Sequence, residues 1–183
     1  ASLAEAQKLG VYGSEFDVYI TTDGVPVIYH NSTFKGNEVP EDAKYKGWRP
    51  DSRTYEEIKD YKLANGEPLP TLDDYLNQAK LYPNVKLIIE IKSHNTTDKT
   101  MRAAQTCVDA VKAKGLQNQV EYIAFSYDVC KKLAGLAPEA TVQYLNGDKA
   151  PSTVFADGIK GIDYSYSKLT DAWIKEANGL GMT

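Results

Sequence analysis

Short β-type runs alternate with helical patterns along most of this chain, and that alternation constrains its fold more than any other feature. Six runs carry β character: "SEFDVYI", "VPVIYH", "VKLIIEIK", "VEYIAFS", "TVQYLN" and "GIDYSYS". Helical periodicity precedes the third ("TLDDYLNQAKL") and follows the third ("KTMRAAQTCVDAVKAKG"), the fourth ("DVCKKLAGLA") and the sixth ("TDAWIKEANGLG"). Strands separated by helices of this length predict a parallel sheet with helices packed outside it. The run "LIIEI" is apolar at both parities until its far end, as a strand buried on both faces requires. Thr71 and Thr170 are candidate N-caps, and Gly115 and Gly179 candidate helix ends.

Two stretches depart from the alternation. The link from Asp17 to Val25 is too short for a crossover helix, so the first two runs must be joined by a return through Asp23-Gly24. The segment from about 32 to 70 is long, polar and rich in Gly and Pro, with one short helix near "TYEEIKDY". Insertions of this kind normally overhang a binding face. Residues 1 to 9 read as the second half of a helix, and "GLGMT" ends where a further strand would begin. The expected architecture is an α/β, TIM (β/α)8 barrel, incomplete as it stands, with about six of eight strands visible and an insertion over the active-site face.

Composition narrows the function classes. With 183 residues, 42% of them hydrophobic, the chain can bury one sizeable core, so residues 1–183 are read as a single domain. No apolar run approaches the roughly 20 residues of a transmembrane helix, and "ASLAEAQKLG" lacks the order of a signal peptide. A net charge of -4 with scattered lysines excludes an electrostatic footprint for nucleic acid. Cys107 and Cys130 sit within helical patterns and are expected to be small core residues. The abundance of tyrosine over Phe and Met hints at a polar substrate.

In a (β/α)8 barrel the working groups lie at the carboxyl ends of strands. Those positions hold Glu15 and Asp17 on the first run, His30 after the second, Glu90 and Lys92 on the third, and Ser126 on the fourth. Each i, i+2 pair shares one face of its strand, with Phe16 and Ile91 pointing the other way. Three carboxylates and a lysine meeting at one place would repel unless a divalent cation sat among the acids. Oxygen donors alone favour a hard cation, Mg²⁺ or Ca²⁺. A solvated edge-strand face for Glu15 and Asp17, and a structural ion pair for Glu90 and Lys92, are the competing readings. His94, in the polar stretch "SHNTTDK", is expected to be solvated.

Together "SEFDVYITTDGVPVIYHN", the insertion, "LPTLDDYL" and "LIIEIK" resemble the glycerophosphodiester phosphodiesterase family. Its usual pattern is an acid-x-acid strand, T-x-DG, an apolar strand ending in HD, then P-T-L and an E-x-K strand. The resemblance implies a TIM barrel that hydrolyses small-molecule glycerophosphodiesters to an alcohol and glycerol 3-phosphate with Mg²⁺ or Ca²⁺. It further implies Glu15, Asp17 and Glu90 as metal ligands, His30 as one of a pair of acid/base histidines, Lys92 as the residue neutralising phosphate charge, and the 32–70 insertion as a cap. The chain departs from the pattern at Asn31, where Asp is commoner, and in lacking the H-R motif and a last, tryptophan-bearing strand. The residues as they stand are therefore expected to make a poor catalyst unless the missing strands come from a longer chain or a partner. Two other readings stay open: a phospholipase-C-like or sphingomyelinase-like enzyme that forms a cyclic phosphate, and a non-catalytic protein that keeps the metal site.

Overall fold

The computed structural model describes residues 2–36 and 40–183. Helix α1 (Ser2–Leu9) leads into β1 (Gly13–Ile20), which turns back as the antiparallel β2 (Pro26–Ile28) in the register Val18↔Ile28. The turn follows from its residues. The Thr21 hydroxyl donates to Asp23 Oδ1 at 2.6 Å and accepts from the Val25 N–H at 2.9 Å, while Gly24 takes the positive φ of +87°.

After the segment holding α2 (Tyr55–Ile58), the regular alternation begins with α3 (Leu72–Ala79), β3 (Lys86–Ile91), α4 (Thr97–Lys114), β4 (Val120–Ala124) and α5 (Tyr127–Leu136). It continues through β5 (Thr141–Tyr144), α6 (Pro151–Ala156), β6 (Gly161–Ile162) and α7 (Asp171–Gly179). The strand order is β2-β1-β3-β4-β5-β6, and every pair except β1·β2 is parallel. Thr183 reaches the outer edge of β6, where its N–H donates to the Lys160 carbonyl and its carbonyl accepts from Ile162 N–H.

Thr71 caps α3 through a reciprocal box with Asp74, Thr170 caps α7, and Gly115 ends α4 in the left-handed region at φ +71°. Helix α7 ends at Gly179, as expected, and Gly181 follows in the left-handed region at φ +69°. Helix α6 was not foreseen, because six residues opening on a proline carry too short a periodic signal.

Strand parity divides the sheet into two faces. Phe16, Val18, Leu87, Ile89, Tyr122 and Val142 join the main core against the helices. Glu15, Asp17, Glu90, Glu121 and Gln143 occupy the alternate positions. Helices thus cover one face while the other carries the polar groups, which is the (β/α) arrangement of a TIM barrel rather than of a sheet covered on both sides. Cys107 and Cys130 are free and buried in the helix-side core.

The segment after β2 builds a second core from Tyr29, Phe34, Tyr45, Ile58, Tyr61 and Leu69. A buried carboxylate ties it to the sheet. Asp51 accepts from Arg49 Nε and Nη2 at 2.8 and 2.9 Å and from the Asn95 N–H, while Lys99 Nζ donates to the Asp51 carbonyl at 2.8 Å. Burial opposes the Asp51 charge, yet the Arg49 and Asn95 donors outweigh it and hold its pKa below the ordinary carboxylate value.

Candidate metal centre

The β1·β3 ladder places Asp17 directly beside Glu90, and Glu15 lies two residues back on the same face. One oxygen from each of Glu15, Asp17 and Glu90 falls within 4.8 Å of the others. Lys92 Nζ sits among them, 2.9 Å from Glu90 Oε1 and 3.0 Å from Asp17 Oδ1. Despite that proximity Asp17 Oδ1, which is buried, accepts no hydrogen bond among the described residues, because the ammonium approaches it off the bonding directions. A buried carboxylate oxygen left in that condition is costly unless something else engages it.

The electrostatics carry the same signature. Burial, then Asp17, then Glu90 push the Glu15 carboxyl up to about 7, although part of its side chain reaches solvent. Burial likewise raises Glu90 against the opposing pull of Lys92. Burial alone would lower the Lys92 pKa, but the negative charges of Glu90 and Asp17 beside it prevail and raise it. Three acids share one lysine, so the site is short of positive charge. All-oxygen donors, one of them unbonded, fit a hard divalent cation.

His30 lies on the rim of the same cleft of about 340 Å³, exposed, with Nδ1 3.4 Å from Asn31 Oδ1. The Asn31 amide oxygen can only accept, so it is placed to orient the ring through Nδ1. The rest of the lining was not anticipated. It consists of Ile123, Phe125, Leu145, Asp163 and Ser165, and the strand-end Ser126 stands outside it at the start of α5. The inward parity of Glu121 gives Ile123 within β4 and Phe125 just past it, and that of Gly161 gives Asp163 and Ser165 past β6. Counting by twos from the strand would have found them. Among the described residues no side chain from 32–70 lines this cleft. A larger cavity, of about 500 Å³, lies between α1, α3 and the segment around Leu63–Pro70, away from the carboxylates.

His94 overturns the expectation of a solvated side chain, being only 8% exposed. The loop after β3 folds back, and the imidazole enters the gap where β1 and β3 part. Its Nδ1–H donates to the Lys92 carbonyl at 2.7 Å, and Nε2 accepts from the Ile20 N–H at 2.8 Å. The ring thereby replaces the next rung after the last ladder bond, Lys92 N–H to Val18 carbonyl. Burial lowers its pKa, keeping it neutral.

Several solved structures are similar to this chain. The glycerophosphodiester phosphodiesterase of Parabacteroides distasonis is 41% identical over the whole chain, which covers 73% of that protein, with a TM-score of 0.90. A phosphodiesterase from Oleispira antarctica, solved with the product sn-glycerol-3-phosphate, shares the fold at 17% identity and TM-score 0.80, with 100% of this chain and 74% of that one covered. The glycerophosphodiester phosphodiesterase of Thermotoga maritima does so at 18% identity and TM-score 0.72, with 99% and 74% covered. No curated protein sequence matches significantly. The family profile for glycerophosphoryl diester phosphodiesterases matches residues 1–168, and the chain belongs to that family.

Proposed function

We propose that this protein hydrolyses glycerophosphodiesters to an alcohol and glycerol 3-phosphate with the help of a divalent cation held by Glu15, Asp17 and Glu90. The observation that supports this most is the meeting of three carboxylates within 4.8 Å, with the buried Asp17 Oδ1 left without a hydrogen bond. Mg²⁺ or Ca²⁺ suits a donor set made only of oxygens. Bound there, such an ion supplies Lewis-acid stabilisation of the negative charge on the phosphoryl oxygens.

The chain's own residues do the rest. Lys92 neutralises charge that grows on the phosphate as the nucleophile adds, a contribution that is larger in the transition state than in the bound substrate. His30 moves a proton at Nε2 between the cleft and the attacking or departing oxygen, with Asn31 orienting the ring through Nδ1. Glu90 and Asp17 fix the Lys92 ammonium in place. Ile123 and Leu145, both buried in the cleft lining, exclude water from one side of the phosphate.

The test is phosphorus NMR of a glycerophosphodiester incubated with the protein, with and without a chelator. Linear glycerol 3-phosphate, lost on chelation and restored by added cation, is the expected product. A persistent cyclic phosphate would assign the cyclising chemistry instead, and cation binding without turnover would leave a binding protein.

A further inference from the structure

The part of the lining beyond the carboxylates has a composition of its own. Phe125 and Asp163 follow β4 and β6 at inward parity and line the same cleft as Glu15, Asp17 and Glu90. The Phe125 side chain is 51% exposed and stacks on no other ring among the described residues. An aromatic face left open beside charged groups is a surface for a ligand rather than a piece of core. The Asp163 backbone is pinned to the sheet by its N–H bond to the Tyr144 carbonyl at 3.0 Å, so the residue is held in position. Its carboxylate has no cationic partner among the described residues, unlike Asp17, Asp51 and Asp73.

Charge sharpens the point. Four carboxylates line the cleft, and Lys92 together with one divalent cation still leaves one negative charge unmatched. A phosphodiester adds another. A substrate whose alcohol half carries a positive charge relieves this excess, whereas a neutral or anionic alcohol does not.

We infer that Phe125 and Asp163 form a headgroup subsite that selects glycerophosphodiesters with an ammonium-bearing alcohol. The ammonium packs over the Phe125 ring and faces the Asp163 carboxylate, while the phosphate stays with the metal-binding acids and Lys92. Cation–π attraction at an exposed ring and a solvent-accessible ion pair are each modest, and together they set a preference of about tenfold. Asp163 is thus a specificity residue with no part in bond breaking. The inference rests on the proposed hydrolysis but fails separately from it.

The experiment compares sn-glycero-3-phosphocholine with the diester of phosphate and two glycerols, using wild type, Asp163→Asn and Phe125→Leu. Asp163→Asn keeps shape and hydrogen bonding while removing the charge. Wild type is expected to favour the choline diester about tenfold in kcat/KM. Each variant should lose several-fold on that substrate and stay within about twofold on the diglycerol one. Calorimetric titration of chelator-treated proteins with both diesters reads the same preference without turnover. If neither diester is hydrolysed but choline-diester binding weakens in Asp163→Asn, the subsite stands and the catalytic proposal fails. Equal losses on both substrates, or a wild type without preference in either assay, would overturn the subsite even with full hydrolytic activity.

Discussion

Replacing His94 with phenylalanine tests how the site's two strands are held. The phenyl ring fills the space of the imidazole and keeps the edge contact with Tyr19, whose ring centroid lies 5.3 Å away. What it removes are two buried hydrogen bonds, from the Ile20 N–H at 2.8 Å and to the Lys92 carbonyl at 2.7 Å. Each backbone group left unpaired costs about 1 to 3 kcal/mol, so His94→Phe should cost about 2 to 6 kcal/mol. Against a domain stability of about 5 to 15 kcal/mol this is a large fraction. With a urea m-value of about 2 kcal/mol/M, the midpoint should fall by about 1 to 3 M. The pH dependence gives a second reading. Burial lowers the folded-state pKa of His94, so its contribution is complete above the unfolded value of 6.5 and is lost as pH falls through the depressed folded value. The gap between wild type and variant should therefore narrow below pH 6.5. A midpoint within about 0.25 M of wild type, corresponding to about 0.5 kcal/mol, would refute the bridging role, as would a gap that is independent of pH.

Lys92→Met should lower kcat by about 10²- to 10³-fold while leaving cation affinity equal or tighter, since the ammonium aids the phosphate and competes with the metal; an unchanged kcat removes its assigned role. Because Glu15 is protonated up to about 7, cation binding at pH 6 should release a proton and weaken relative to pH 8, measured by calorimetry in buffers of different ionisation enthalpy. The same shift means that the cation-free protein loses stability as pH rises from 4.5 to about 7, where the unfolded chain has given up the proton and the folded one retains it; Glu15→Gln should flatten that interval in denaturation curves. Gly36→Ala should cost at least about 1 to 2 kcal/mol, because φ is +65° and the new Cβ would lie 2.7 Å from the Lys46 backbone; thermal melting at the usual temperature would rule this out.

The alternation of β-type and helical runs already dictates a parallel sheet, and the short Asp17–Val25 link already dictates the one antiparallel return, because connection length limits strand direction. Period-two spacing likewise puts Glu15 with Asp17, and Glu90 with Lys92, on single faces before any fold is known. Those local rules hold along one strand. Whether the two pairs meet depends on the β1·β3 register, in which Asp17 falls opposite Glu90, and register is a relation between strands. His94 shows the limit most plainly. Its neighbours "SHNTTDK" are polar, and local polarity reads as solvation. Its burial comes from the loop folding back to supply the missing rung between Ile20 and Lys92, residues 74 and two positions away in sequence. The wall of Phe125 and Asp163 was hidden for a related reason. Strand runs end where the ladder ends, yet inward parity continues beyond them, and only the tertiary arrangement of the sheet brings those residues into the cleft that the acids line.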